Sequence, residues 1–205
     1  MSKDVERRFL PRTEVRADLA GRRLEGYAAI FNEPSGALGG FIDIVAPGAF
    51  RAAILTSDVR VLFNHSADRV LGRVRAGTAS LREDAKGLAF SVELPNTATG
   101  TEDLEAVRRG DVSGASFSFS MSNGEERWET RPDGSKVRTL LRVGTLYDVG
   151  PVVYPAYQAT EVSARAMAHA RGGARTDAER IALAKSLAAQ VAAPQAPLVG
   201  QTDEF

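Results

Sequence analysis

The sequence offers two histidines and no cysteine, so its capacity for acid–base and nucleophilic chemistry is narrow. Histidine is the side chain whose ordinary pKa lies near neutrality, which makes His65 and His169 the candidate general bases. His65 follows an apolar run in VLFNHSADRV, where a side chain can be held firmly at the end of a strand. From spacing alone it is either a general base or a surface histidine in a turn. His169 lies in the alanine-rich AMAHARGG and is predicted to be a solvated bystander.

A row of serines supplies candidate nucleophiles. Residues alternate in SGASFSFSMS, so Ser116, Ser118 and Ser120 are predicted to share one face of a strand. A serine hydroxyl is a weak nucleophile unless an adjacent base takes its proton. The alternation does not choose among the three, and Ser113 and Ser66 are also candidates. Ser116 is favoured because the small residues before it leave room for a substrate backbone; otherwise the row is a solvent-facing surface.

A third group must orient the base, and Asp148 is the candidate. It lies in LYDVGPVVYPAY between apolar neighbours, so it is predicted to be partly buried and to need a partner. An imidazole would serve, as would Arg138 or Arg142. Serine, histidine and aspartate together are the components of a hydrolytic triad. No P-loop, dinucleotide fingerprint, G-x-S-x-G elbow or H-E-x-x-H motif occurs.

Composition excludes several other chemistries. The 26 basic and 26 acidic side chains balance, which argues against a dedicated nucleic-acid binder. Without cysteine there is no disulfide, thiolate zinc site, iron–sulfur cluster or cysteine nucleophile, and we expect no cofactor or metal. No apolar run has the length of a membrane span, and MSKDVERRFL lacks the apolar core of a secretory signal. We expect a soluble intracellular protein.

The elements that position these residues are predicted to be mostly short strands. Alternating apolar residues between turn signals predict strands at 22–31, 58–64, 69–76, 79–83, 88–94, 113–122, 125–131 and 136–149. Helices are predicted at 48–55 and 101–109. The last two strands should pair as a hairpin across Pro132-Asp133-Gly134. This pattern indicates a mainly β (α+β) fold, and a closed or nearly closed barrel of about seven strands would hide the strand edges.

Composition changes near residue 164, which divides the chain into a β-rich domain, 1–164, and an alanine-rich tail, 165–205. The tail carries one predicted helix. It begins at the capping box Thr176-Asp177-Ala178-Glu179, and Pro194 ends it. Its apolar stripe is narrow, so it is marginal alone or needs a partner.

Four stretches, in this order, carry a family resemblance: EGYAAIFNEPSGALGGFIDIVAPGAF, VLFNHSADRVLGRV, GDVSGASFSFS and LYDVGPVVYPAYQATEV. Each motif is weak singly, but the combination resembles the prohead (procapsid) maturation proteases of tailed phages and gene-transfer particles. The resemblance covers roughly residues 8–164. It implies serine endopeptidases whose fold, a β-barrel with surrounding helices, resembles that of the herpesvirus assembly proteases.

The resemblance also implies roles for particular residues. The family's histidine falls on His65, its serine on Ser116, and its acidic residue, often glutamate, on Asp148. Ser118 stands where the family often has glycine, and Gly150 where it often has a small hydroxyl residue. Neither departure removes a proposed catalytic group. Aspartate in place of glutamate shortens the arm by one methylene, so its strand must approach His65 more closely.

Partners and location follow from the same resemblance. It implies cleavage of the scaffolding region of the major capsid protein, and of the protease itself, inside the procapsid in the bacterial cytoplasm. The implied partners are the capsid protein, its scaffolding segment and other procapsid components, with no membrane and no specific nucleic acid; self-association is left open. The tail is interpreted as a tether lost by self-cleavage, or else as an ordinary disordered terminus.

Two other classes of function fit the same residues. One is a catalytically silent structural or scaffolding barrel of the particle. The other, weaker, is a module that binds peptides along an exposed strand edge. The presence of His65, Ser116 and Asp148 together favours the enzyme, because a structural protein has no need of all three.

Overall fold

The computed structural model describes residues 5–38 and 40–153. Within these residues the chain forms twelve strands, two α-helices and two single turns of 3₁₀ helix. The strands are β1 Glu6–Phe9, β2 Glu14–Asp18, β3 Arg23–Ile30, β4 Phe41–Val45, β5 Arg60–Leu62, β6 Val70–Arg73, β7 Ala79–Glu83, β8 Gly87–Glu93, β9 Gly114–Ser120, β10 Glu125–Thr130, β11 Lys136–Arg142 and β12 Thr145–Val152. The helices are α1 Arg51–Thr56 and α2 Ala98–Arg108, and the 3₁₀ turns are Phe63–His65 and Val74–Ala76.

The strands form three sheets, which confirms the mainly β class. The first has the order β1-β9-β12-β5-β6, the second β10-β11-β4 and the third β2-β3-β8-β7. Within the described residues none of these orders returns on itself, so the predicted closed or nearly closed barrel is not confirmed. β9 lies inside the first sheet, antiparallel to both β1 and β12.

Strand β9 has the predicted alternation. Ala115, Phe117 and Phe119 are fully buried in the main apolar core. The ring of Phe117 meets that of Phe50, just before α1, edge-on at 5.2 Å between centroids. An edge-on pair of buried rings adds to the hydrophobic contribution of each. Burying this face turns the serines of β9 toward the opposite face of the sheet.

Several predicted boundaries were wrong. β1, β2 and β4 were not predicted, because each is short and interrupted by charged residues. The predicted strand at 136–149 is two strands, and they belong to different sheets. A Cβ on Gly144, between them, would lie 2.0 Å from the Ser122 carbonyl oxygen, so only glycine allows the chain to cross there. The predicted hairpin is confirmed for β10 and β11.

The helices lie where the sequence places them, with shifted ends. α2 begins earlier than predicted because Thr97 caps it, its hydroxyl accepting a hydrogen bond from Gly100 N at 3.2 Å. No helix among the described residues has the length and apolar character to cross a membrane. The boundary predicted at 164, the tail helix and His169 lie outside the described residues.

A buried group of charges, which we call the ion cluster, joins the first and second sheets. Its members are Glu6 and Arg8 on β1, Asp43 on β4 and Arg138 on β11. Arg8 bonds both carboxylates, and Arg138 reaches Asp43 through Nε at 2.7 Å and Glu6 through Nη2 at 2.7 Å. Burial alone would lower the pKa of Arg138, but its bonds to Asp43 and Glu6 raise it overall. The ion cluster therefore ties β1, the strand that pairs with β9, to β4 and β11 of the second sheet.

Candidate active site

His65 is carried by the tight turn that follows β5. Asn64 and His65 have φ of 53° and 54°, two consecutive residues in the left-handed region. Asparagine and histidine adopt this conformation more readily than most residues. Asn64 Oδ1 also accepts a hydrogen bond of 2.9 Å from Val153 N, just after β12. The left-handed turn therefore ends the extended path of β5 and keeps residues 64–65 beside the end of β12.

Gly150 lets β12 pass close beneath this turn. Its φ is +156°, and a Cβ there would lie 2.0 Å from the carbonyl oxygen of Leu62. Any side chain would therefore push β12 away from the end of β5. Gly150 is also the residue opposite Ser116 in the pairing of β12 with β9. The glycine at this position thus brings the histidine turn close to the serine strand.

Three predicted residues form one continuous set of hydrogen bonds, which we call the Asp–His–Ser chain. Asp148 Oδ1 contacts His65 Nδ1, and His65 Nε2 lies 2.8 Å from Ser116 Oγ. The His65 side chain is 5% exposed and that of Asp148 10%, while Ser116 is 4% exposed. A carboxylate on Nδ1 fixes the imidazole with its lone pair on Nε2, which faces the hydroxyl. This arrangement can transfer the hydroxyl proton to the imidazole.

The Ser116 hydroxyl has a second neighbour. Its oxygen lies 2.8 Å from the backbone carbonyl oxygen of Arg8, in β1. A hydroxyl has one proton, so it donates either to this carbonyl or to His65 Nε2. The two acceptors hold Oγ at a fixed place while leaving its proton two positions.

Among the described residues, the other candidate serines form no hydrogen bond with the His65 side chain. Among the serines that the structure describes, Ser116 is the one within hydrogen-bond distance of the imidazole. Ser120 Oγ accepts from the backbone at Ser122, and Ser66 Oγ accepts from Asp68 N at 3.3 Å. Ser118 lies opposite Asp148 in the sheet, and Ser113 precedes β9. The geometry therefore separates serines that the alternation left equivalent.

The alternative partners predicted for Asp148 are engaged elsewhere. Arg138 belongs to the ion cluster, and Arg142 bonds Glu125 through Nη2 at 2.7 Å. Asp148 is left to the imidazole, so its carboxylate has the partner that its burial requires.

Two features of the site went beyond the residues singled out for chemistry. The Arg8 carbonyl had no sequence signal, because any residue of β1 would supply it. Gly150 had one, since an isolated glycine within a strand pattern often marks a close approach of another backbone. Its place beside Asp148 in LYDVGPVV is such a signal.

A comparison with known protein families identifies the family of this chain. A sequence model described as caudovirus prohead serine protease matches residues 12–173, a range that contains all three residues of the Asp–His–Ser chain. No curated protein and no solved structure matches the chain. The match covers well over half of the sequence, and the resemblance read from the four motifs is thereby confirmed. The chain belongs to the caudovirus prohead serine protease family.

Proposed function

We propose that the protein is a serine endopeptidase in which Ser116 is the nucleophile, His65 the general base and Asp148 the residue that orients the base. The observation that carries the proposal is the unbroken set of hydrogen bonds from Asp148 through His65 to Ser116 Oγ. Membership of a serine protease family supports the same chemistry.

The mechanism follows from the order of the bonds. His65 Nε2 accepts the Ser116 proton as Oγ attacks the carbonyl carbon of the scissile peptide. Asp148 accepts from Nδ1–H, which keeps Nε2 free and stabilises the imidazolium that forms. The imidazolium then donates its proton to the leaving amine. Water hydrolyses the acyl-enzyme by the reverse proton path, with His65 again as the base.

The substrate we propose is the scaffolding region of the major capsid protein, cut inside the procapsid of a tailed phage or a gene-transfer particle. Family membership supports this class of substrate and this location. Self-cleavage that removes the tail, 165–205, is part of the proposal. We also propose that the three sheets together enclose the core as a nearly closed barrel, which family resemblance to the assembly proteases favours.

Co-expression with the cognate major capsid protein tests the proposal. Wild type should shorten the capsid protein, whereas His65→Ala and Ser116→Ala should leave it at full length. Ser118→Ala is the matched control, because it removes a hydroxyl from the same face of β9 without touching the imidazole, and it should process normally. Equal processing by all variants would refute the catalytic roles. No processing by wild type would favour the silent structural protein.

The fate of the tail needs a separate measurement. Intact-mass spectrometry of assembled particles should find a shortened C-terminus in wild type and the complete one in Ser116→Ala. The same C-terminus in both would contradict self-cleavage without affecting the catalytic proposal.

A further inference from the structure

The loop that carries His65 is closed by its own backbone. Phe63 N donates to the Arg69 carbonyl at 3.1 Å, Ser66 N to the Phe63 carbonyl at 3.0 Å, and Arg69 N to the Ser66 carbonyl at 3.1 Å. We call residues 63–69 the histidine loop. Because Arg69 bonds directly to the residue that starts the turn, the position of Arg69 and that of His65 are mechanically linked.

Arg69 clamps this loop to α2. Its guanidinium lies over the Phe63 ring, 4.3 Å from the centroid, and its Nη2 donates to Asp103 Oδ1. The Arg69 side chain is 38% exposed, whereas that of Asp103 is 1% exposed. The clamp therefore runs from a half-exposed cation on the histidine loop to a fully buried anion on a helix that contributes no residue to the Asp–His–Ser chain.

Asp103 is an unfavourable residue to bury. Burial raises its pKa; the charge of Arg69 opposes that effect and that of Glu102 adds to it. Asp103 Oδ2 and Arg69 Nε both lack a hydrogen-bond partner among the described residues. An apolar residue beside Leu104 and Val107 would bury itself without this penalty, since incompletely bonded buried ion pairs rarely stabilise a fold. The position of Asp103 is thus explained by what it holds rather than by stability.

The histidine loop needs holding. Two consecutive non-glycine residues in the left-handed region are strained and persist only where their surroundings fix them. Val153 fixes Asn64 from the side of β12. At the opposite end of the loop, the ion pair of Arg69 with Asp103 ties it to α2.

We propose that Arg69 and Asp103 are positioning residues, which hold the histidine loop so that His65 Nε2 stays within hydrogen-bond distance of Ser116 Oγ. Neither touches the reacting atoms. The inference rests on the proposed function for its kinetic consequence, while its structural consequence, the place of the imidazole, is independent of it. Loss of the clamp lets the loop relax from its strained conformation, and small displacements of a base lower rates steeply.

The test measures the rate at which a fluorophosphonate labels Ser116, a reaction that needs no knowledge of the peptide substrate. Asp103→Asn and Arg69→Gln should each lower the second-order rate constant about 10- to 100-fold. The double variant should be no slower than the single ones, because both remove the same contact. Arg69→Lys keeps a cation within reach of Asp103 and should recover part of the rate. Glu105→Gln, which removes an exposed carboxylate from the same helix, should label like wild type.

A spectroscopic readout separates positioning from folding. The Nδ1 proton of His65, bonded to Asp148, should give a far-downfield proton NMR resonance in wild type, and this resonance should shift or broaden in Asp103→Asn and Arg69→Gln. Arg69→Gln keeps an amide that can donate to Asp103, and Asp103→Asn removes the buried charge at nearly the same size, so far-ultraviolet circular dichroism of both variants identifies those that fold. Unchanged labelling and an unchanged resonance in folded Arg69→Gln would overturn the inference. Failure of wild type to label at Ser116 would instead refute the proposed function. Comparison of the His65 resonance in wild type and in the variants would still test whether the Arg69–Asp103 ion pair positions the imidazole.

Discussion

The ion cluster and the Asp–His–Ser chain lie on opposite faces of the same strand pair, β1 and β9. Both are buried and both join residues that are far apart in sequence. In the ion cluster, Arg8 and Arg138 each donate to both carboxylates, through Nε to Asp43 and through Nη2 to Glu6. In the Asp–His–Ser chain, one hydroxyl proton has two acceptors, the Arg8 carbonyl and the imidazole.

The contrast between the two sets of residues shows that this fold keeps structural support apart from chemistry. A cluster whose charges are all paired has one low-energy arrangement, and breaking it leaves an uncompensated buried charge. In the Asp–His–Ser chain the Ser116 proton can point to either of two acceptors, and proton transfer starts from the orientation toward His65 Nε2. The ion cluster holds β1, and the Arg8 carbonyl of β1 accepts a hydrogen bond from Ser116 of the Asp–His–Ser chain. Substitutions in the first should therefore change stability, and substitutions in the second should change rate.

The largest effect is expected from Ser116→Ala. Peptidase activity should fall by a factor of about 10⁴ to 10⁶, because the nucleophile is lost and only background hydrolysis remains. The free energy of unfolding should change little, which thermal denaturation would check. A large loss of stability with only a modest loss of activity would contradict the catalytic role assigned to the Asp–His–Ser chain.

The second largest effect is expected from Asp148→Asn, which should lower peptidase activity by about 10⁴-fold at neutral pH. The amide has the size of the carboxylate, but it can donate to Nδ1 and so favour the tautomer whose Nε2 carries the proton. That tautomer cannot accept from Ser116. Steady-state cleavage of the proposed substrate, the capsid protein, measures the loss. Activity within a few-fold of wild type would mean that Asp148 does not orient His65.

Asp43→Leu breaks the other cluster. Two buried guanidiniums lose their shared carboxylate, so the free energy of unfolding should fall by about 3–5 kcal/mol in urea denaturation. The labelling rate of the folded protein should change far less than in Asp148→Asn. Equal losses of rate in the two variants would show that the clusters are not separate in function.

Gly150→Ala tests the packing that joins β12 to the histidine turn. The added Cβ would lie 2.0 Å from the Leu62 carbonyl oxygen, so the strands must separate. We expect a loss of about 1–3 kcal/mol of stability together with slower labelling of Ser116. Gly77→Ala is the control, because it also has positive φ but nothing lies near its Cβ. A normal labelling rate in Gly150→Ala would mean that the close approach is not needed at the site.

The smallest effect concerns the pH dependence of stability. Burial raises the pKa of Asp103, so the folded protein binds this proton more tightly than the unfolded chain. The contribution of Asp103 to stability is then complete below its ordinary pKa and is lost as the pH rises through the raised one. Relative to Asp103→Asn, wild type should gain thermal stability as the pH falls from neutrality into the acidic range. A loss of thermal stability relative to Asp103→Asn as the pH falls would contradict the raised pKa of Asp103.

Much of the site could be predicted from the sequence because strand alternation and residue chemistry act locally. The period-2 pattern of SGASFSFSMS determines which side chains enter the core, and it leaves the serines together on the other face. The scarcity of histidine then makes His65 the candidate base. The small residues before Ser116 and the family resemblance already favoured it among the serines. That its hydroxyl lies beside His65 depends on the register of β9 against β12 and on contacts distant in sequence, which no local pattern shows.

The ion cluster and the division of the strand at 136–149 could not be predicted in the same way. In an alternating strand, arginine and glutamate normally mark the solvent face, yet Glu6, Arg8 and Arg138 point inward. Their burial becomes favourable only when β1, β4 and β11 meet, and no local pattern encodes that meeting. Tertiary pairing of these charges overrides the rule that charged residues of a strand face solvent.

The central claim, that Ser116 is the nucleophile activated by His65, is tested most directly by locating a fluorophosphonate adduct through peptide mass spectrometry. We predict one adduct, on Ser116, in wild type and in Ser118→Ala, and none in Ser116→Ala or His65→Ala. An adduct on Ser118 or Ser120, or undiminished labelling of Ser116 in His65→Ala, would contradict it.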